Sequence, residues 1–446
     1  MPQGQDLLTG SVPKKLIRFA FPLFLANLLQ ALYNVVDMLV VGRFLGSPGL
    51  AAVSSAAMLC YVITSLCSGA ATGGSVLVAQ RQGAGDPEGL RRVIGALFTL
   101  SGLIALAVTA LGLLTCGPIL RAMHVPGEAL SLAHGYLLVI CGGTFFVLGY
   151  NAVCGVLRGL GDSVSPLLFV ALATAVNVAL DLLLVGALGL GTVGAALATV
   201  CSQAVSCLAA LRFCFRRGLF SGLQPRHFLP GRALSIALLR IGLPTAVQLS
   251  VVNLSYLLVT GWFNLHGTAA AAAAGVGLKV NTFAAMPCWA VGMAVTTMAG
   301  QCMGAGDPDR AAGALRWGLH LSLALCAGTV ALVQLFAGPI VALFDPNPAV
   351  VAAGVTYLRI CCSVNFAFYA AMYLFDSLAT GVGAAGLAMG NAMLHSVVMR
   401  LALSWWLGGA LGFSGLCWAE MLAPIPSALL GLLWFRLGRW RQRGPL

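Results

Sequence analysis

Asp37 and Asp181 each sit inside a long apolar stretch, where an ionisable side chain is costly and by default marks function. Gln30, Asn34 and Asp37 are spaced by four and three residues, which puts them on one helix face. Asn177 and Asp181 are four apart and share a face in the same way. Thr199 and Tyr136 add hydroxyls from two further apolar stretches. Counted from the loops, all four of Asp37, Tyr136, Asp181 and Thr199 fall roughly 9–12 Å below the outer helix ends, at about 1.5 Å per residue. Two carboxylates with an amide oxygen and a hydroxyl form an oxygen cage for a hard cation such as Na⁺. Alternatively, two acids held close cannot both stay ionised, and together they carry a proton. Interhelical hydrogen-bonding glue would suit Asn34 or Thr199 alone, but is a poor account of two acids at one depth.

These groups must be positioned by membrane helices. Of 446 residues, 60% are hydrophobic and only 8% charged, against about 25% charged in soluble domains. In lipid every backbone polar group must be satisfied internally, which leaves helices or closed barrels. The apolar runs here are long and continuous, so helices are expected, each needing about 20 residues to cross. Twelve spans are expected: 15–43, 50–79, 92–116, 130–157, 163–187, 191–214, 235–264, 270–300, 313–337, 351–379, 386–411 and 414–436. Glycine, proline and aspartate clusters punctuate them, as at Gly83 to Pro87, Gly161-Asp162 and Asp345 to Pro348. The polar N-terminus and full-length first run argue against a cleaved signal peptide. The 14 cysteines show no CxxC or Cys/His cluster and read as small apolar packers.

Basic residues set the orientation. Lys14, Lys15 and Arg18, then Arg81, Arg91 and Arg92, Arg158, the run from Arg212 to Arg240, Arg310 and Arg316, and Arg436 to Arg443 all fall on one side. Only Arg43, Arg121 and Arg359 fall on the other. The positive-inside rule places both termini in the cytoplasm and accounts for the net charge of +12 without a nucleic-acid partner. A plasma-membrane location is expected.

Around residue 221 the sequence begins again. Gln80 with Gly83 to Pro87 recurs as Gln301 with Gly304 to Pro308; Gly117-Pro-Ile119 recurs as Gly338-Pro-Ile340, and Tyr136 as Tyr357, all shifted by 221. Arg18 and Pro22 recur as Arg240 and Pro244, and Gly186 to Gly189 as Gly409 to Gly412. A register held this closely across the chain signals duplication. The fold class expected is an all-α integral membrane protein of twelve transmembrane helices, in two six-helix lobes related by a pseudo-two-fold along the membrane normal. The lobes are 1–215 and 235–446, joined by a cytoplasmic linker at 216–234. Parallel repeats of this kind hold substrate between halves that rock. Pro22 in the first helix permits a bend there.

The chemistry is not duplicated with the architecture. Asp37 maps to Val259, Asn177 to Arg400, Asp181 to Ser404 and Thr199 to Glu420. The second half instead embeds Lys279, Asp376, Arg400 and Glu420, a possible C-lobe cavity set. Lys279 and Glu420 lie at similar depth and can each pair with an opposite charge, while Asp376 lies near the inner end, where it can face a cytoplasm-open cavity.

The VVGRFLG run that follows Asp37, the GAGDP loop in both halves, the LRGLGD turn at 157–162 and the twelve-helix duplication together resemble the multidrug and toxic compound extrusion (MATE) family over nearly the whole chain. The resemblance implies an N-lobe cation site at Asp37, Asn177, Asp181 and Thr199, with Gln30, Asn34, Tyr136 and Asn151 as polar positions near it and Pro22 as the bending proline. It implies export of amphipathic, often cationic compounds, driven by inward H⁺ or Na⁺, with no cofactor and with the bilayer and small-molecule substrates as partners; the chain is expected to act as a monomer. Some family members carry an acid in the seventh helix as a second coupling site; this sequence has Asn253, Ser255 and Asn264 there instead. A flippase for a lipid-linked saccharide is the nearest alternative, kept open by Arg400 and Lys279. An enzyme is disfavoured, since no HExxH and no Ser/His or paired-His constellation stands out.

Overall fold

The protein is described by a computed structural model that covers residues 6–123, 125 and 127–444. The described residues are helical throughout, without strands. In chain order the spans are α1 (Val12–Gly46), α2 (Pro48–Gly83), α3 (Pro87–Ala122), α4 (Gly127–Gly159), α5 (Val164–Ala187) and α6 (Gly191–Arg216). The second set is α7 (Arg232–Asn264), α8 (Thr268–Gly304), α9 (Pro308–Phe344), α10 (Pro348–Cys361 with Asn365–Gly381), α11 (385–411) and α12 (413–437). The run from Ala385 to Leu437 is helical over 53 residues, about 80 Å and far longer than a ~30 Å hydrocarbon core. Gly412, at φ 61° and ψ −137°, breaks it into two crossings. The expected twelve helices are therefore present, and α1, α3 and α9 overrun the expected spans by several residues at each end.

The repeated GAGDP loop is a stop and a start compressed into five residues. Gly85 (φ 63°) and Gly306 (φ 74°) take the left-handed conformation that ends the preceding helix. Asp86 and Asp307 then cap the next helix, accepting from the backbone N–H of Gly89 at 2.8 Å and of Arg310 at 2.9 Å. Pro87 and Pro308 occupy the first helical position, where no N–H is needed. LRGLGD works likewise: after Gly161 (φ 88°), Asp162 accepts from the N–H groups of Val164 and Ser165. These motifs shape the chain.

One span differs from expectation. The tenth, read as a single run over 351–379, is bent by 51° between Cys361 and Asn365. The carbonyls freed there are captured by side chains: Gln334 Nε2 donates to Cys362 O at 2.8 Å and to Arg359 O at 3.1 Å, and Asn365 Nδ2 donates to Cys361 O at 3.2 Å. A glutamine on α9 thus stabilises a break that neither glycine nor proline announces. At Pro22, by contrast, α1 keeps helical dihedrals, its one non-helical residue being Gly46.

The chain forms two compact units, 25–246 and 7–24 with 247–445, apart from a few terminal residues. Their borders fall inside α1 and α7 rather than in the 216–234 segment. In the unit of 247–445, Leu16, Phe19, Ala20 and Leu23 from the start of α1 pack in one core with Ala294, Met298, Leu374 and Leu378. In the unit of 25–246, the start of α7 lies on a small-residue strip of α2. A Cβ on Gly69 would come within 2.4 Å of Gly242 O, and one on Gly73 within 2.8 Å of Leu238 O. The basic segment after α6 is fastened to the same unit: Thr99 Oγ1 donates to Phe228 O at 2.7 Å, and the buried His227 meets Glu88 Oε1 at 3.2 Å.

Both repeats use one helix crossing. In the first, Gly155 and Gly159 of α4 face Ala71 and Ser75 of α2, and a Cβ on either glycine would lie 2.6 Å from a carbonyl oxygen. In the second, the matching Gly292 and Thr296 of α8 meet Ser377 and Gly381 of α10, and Thr296 Oγ1 donates to Ser377 O at 2.9 Å. Small residues four apart let backbones approach closely, which is how helices associate when lipid removes the hydrophobic drive. Gly155→Leu is expected to lower thermal stability in detergent by roughly 1–3 kcal/mol or more, because the atom it meets is backbone. Gly102→Ala, with nothing within 4 Å of the added carbon, is the control and should leave the melting temperature nearly unchanged.

Candidate functional site

Helices α1, α2, α4, α5 and α6 of the first unit converge on the two acids. The side chains of Asp37 and Asp181 lie within electrostatic reach of one another, and two acids this close favour a shared proton or a bound cation. Asn177 and Asp181 are fully buried. With its amide turned to suit its neighbours, Asn177 donates to Asp181 Oδ2 at 2.8 Å and accepts from the Thr199 N–H at 3.3 Å. One oxygen of each acid, Oδ1 in both cases, is buried without a hydrogen-bond partner. An orphaned carboxyl oxygen on each of two neighbouring acids is an acceptor waiting for a positive charge.

The backbone helps to place them. Directly after Asp181 the helix loosens into a π-helical turn at Leu182–Ala187. Such turns reset the angular register of the residues that follow and recur at functional sites.

Tyr33 belongs to this site and was not expected there. It lies one turn before Asp37 on α1, and its hydroxyl is 3.1 Å from Thr199 Oγ1. It also lies within electrostatic reach of Asp37, Asp181 and Cys60. Tyr136 is buried with Cys60, Asp37, Tyr33 and Asp181 around it. The face of α1 that meets the acids is therefore Tyr33–Asp37. Gln30 and Asn34, expected on that face, are exposed. Asn151, expected near the site, donates to Val147 O of its own helix at 2.8 Å. An i, i+4 tyrosine–aspartate pair was the signal available in the sequence; the amides drew attention because they are more polar. The Tyr33–Thr199 hydrogen bond is worth roughly 0.5–1.5 kcal/mol. Tyr33→Phe is thus expected to raise the half-saturating ion concentration for efflux about two- to tenfold, with maximal rate less affected.

In the second unit Glu420 finds the partner of opposite charge that was expected for it. Glu420 pairs with Arg400, whose Nε lies 3.0 Å from Oε1, and both are buried. The Arg400 guanidinium also stacks over the Tyr256 ring at 3.9 Å. Lys279, expected at a similar depth, is exposed. Asp376 does not face an open cavity: it is buried and accepts from Asn391 Nδ2 at 2.7 Å. The adjacent cysteines Cys361 and Cys362 are buried free thiols, the second donating to Asn281 Oδ1 at 2.8 Å.

Duplicated apolar helices with an acidic, polar-lined site in one half define a multi-pass membrane transport protein. The comparisons agree on which kind. The MatE family model matches twice, over residues 22–183 and 244–406, once in each half of the chain. A probable multidrug resistance protein of Bacillus subtilis, YpnP, is 26% identical over 98% of both chains. A second from the same organism, YoeA, is 32% identical over 75% of this chain and 74% of its own. Among solved structures, a MATE protein in complex with MaL6 superposes with a TM-score of 0.93 at 25% identity, covering 99% of this chain and 100% of that one. A transporter of the same superfamily from Pyrococcus furiosus, described as having a binding pocket of reversed polarity, gives 0.91 at 25% identity over 98% of both chains. The chain belongs to the MATE family of multidrug efflux transporters.

Proposed function

We propose that this protein is a secondary active antiporter that exports amphipathic, often cationic compounds in exchange for inward H⁺ or Na⁺. The two lobes would alternate access, in a plasma membrane with both termini cytoplasmic. The observation that carries the reading is the proximity of Asp37 and Asp181, within electrostatic reach of one another and each with a buried, unpartnered oxygen. Asn177 and Thr199 hold the second acid, and Tyr33 and Tyr136 close the site with hydroxyls that carry no charge. A cation entering here cancels the buried negative charge on α1 and α5. That gives the ion a higher affinity for one state of the site than for another, which is the only way binding drives a conformational change. Pro22, in the first half of α1, supplies the position at which that helix would bend as the ion arrives.

The saccharide-lipid flippase reading is not favoured: of the two cations that kept it open, Arg400 is paired with Glu420, and the relatives are named as multidrug resistance proteins. The test is dye efflux from proteoliposomes under a sodium gradient and a proton gradient imposed separately. Acceleration by at least one gradient is expected; transport indifferent to both would overturn the antiport reading.

A further inference from the structure

Much of the N-lobe site has a positional counterpart in the second unit, although Val259 stands in the place of Asp37. At the repeat shift of 221–223, Cys60 corresponds to Asn281, Tyr136 to Tyr357, Asn177 to Arg400, Asp181 to Ser404 and Thr199 to Glu420. These counterparts are also gathered together. Asn281 Nδ2 donates to Tyr357 OH at 3.2 Å, Tyr357 lies within electrostatic reach of Glu420, and Glu420 meets Arg400 at 3.0 Å. A π-helical turn adjoins the site here too, ending at Met399 immediately before Arg400.

The charge balance of the two copies is opposite in kind. The N-lobe copy holds two acids among the neutral groups Tyr33, Cys60, Tyr136, Asn177 and Thr199. The C-lobe copy holds one acid and one base. Arg400 Nε lies 3.0 Å from Glu420 Oε1, yet neither Nε nor Nη1 has an aligned hydrogen-bond partner. Ser404 Oγ, at the place of Asp181, is also buried and unpartnered. A guanidinium placed for structural strength alone normally forks onto its carboxylate with two parallel bonds. This one occupies the cluster as a charge, held from its other side by Tyr256.

We propose that the Tyr357–Glu420 cluster is a second monovalent-cation site in which Arg400 is a tethered cation, permanently occupying the place a free ion would take. The inference rests on the N-lobe set being the coupling site. It assigns the C-lobe a fixed charge that cannot dissociate, so ion coupling runs through the N-lobe alone. Replacing Arg400 with a neutral side chain should open the cluster to free Na⁺ or H⁺. The ionisable groups facing Glu420 are Arg400, Tyr357 and Cys361, and those facing Arg400 are Tyr256, Tyr369 and His395.

The experiment measures the melting temperature of purified full-length protein carrying Asp37→Asn and Asp181→Asn, which removes the N-lobe ion response. One arm titrates NaCl against choline chloride at fixed pH; the other varies pH at fixed sodium. In this background the sodium arm should be flat. Adding Arg400→Gln should make the melting temperature climb with sodium, or climb more steeply with acidification, and the arm that responds names the ion. Adding Glu420→Gln as well should remove the climb. A flat response after Arg400→Gln, or a climb that survives Glu420→Gln, would overturn the proposal. Should Arg400→Gln not fold, the Arg400→Gln/Glu420→Gln protein decides. Recovery of a cooperative transition supports a one-to-one cancellation of charge, and failure to recover overturns it. Because the readout is stability, failure here is distinct from failure of antiport, which is read in wild-type efflux.

Discussion

Asp37→Asn is expected to cut gradient-driven efflux at least about tenfold while leaving substrate binding in place. Asparagine matches aspartate in size, so packing on α1 is retained and only the negative charge and the shared proton or cation are removed. Moving a two-state protein from 1:99 to 99:1 needs about 5.5 kcal/mol of differential ion binding. Asp37 supplies one of two charged ligands, and one of the two unpartnered oxygens, so its loss removes a large part of that difference. The remaining carboxyl would bind an ion more weakly and much less selectively between states. Efflux from proteoliposomes, measured under each gradient alongside equilibrium dye binding, checks this. Asp181→Asn should match it, and the double variant should be scarcely worse than either single one, because both acids serve one ion and such effects do not add. Full efflux by Asp37→Asn would remove the coupling role from this site.

The largest effect on stability is expected at Arg400. Arg400→Met leaves Glu420 as an uncompensated buried charge and is expected to cost about 3–5 kcal/mol. Arg400→Met combined with Glu420→Leu should recover most of that loss, since replacing a buried ion pair by apolar residues of similar volume is often neutral or stabilising. Thermal denaturation in detergent, with the two single variants and the double, gives the comparison. If Arg400→Met alone were as stable as wild type, the pair would not be the charge-compensating unit that its 3.0 Å separation indicates.

The two predictions rest on parts of the molecule that were unequally legible. The two acids and their absence from the matching positions of the second half were readable because a carboxylate in an apolar run is conspicuous. Tyr33 was not, because a tyrosine in a membrane helix reads equally well as packing; only its hydroxyl at 3.1 Å from Thr199 sets it apart. The choice between Tyr33 and Asn34 as the neighbour of Asp37 turns on the rotation of α1 about its axis. Residues 33 and 34 differ by about 100° around a helix of 3.6 residues per turn, and the sequence of α1 carries polar groups on both sides. The break in α10 was hidden for a related reason: its stabilising group, Gln334, sits on another helix.

From the sequence by itself came everything that depends on neighbours along the chain. Apolar runs long enough to cross, the GAGDP and LRGLGD turns that stop and restart helices, the duplication, and the presence of two buried acids in one half are all local. Lipid enforces them, because a backbone in hydrocarbon must satisfy its own hydrogen bonds. What only the tertiary structure decided are meetings between distant residues: Asp37 with Asp181, Arg400 with Glu420, and the assignment of the first turns of α1 and α7 to units other than those of their remainders. Those meetings follow from helix rotation and from which small-residue strips allow two backbones to touch. Both are properties of a packed pair of helices, and neither exists until the pair has formed.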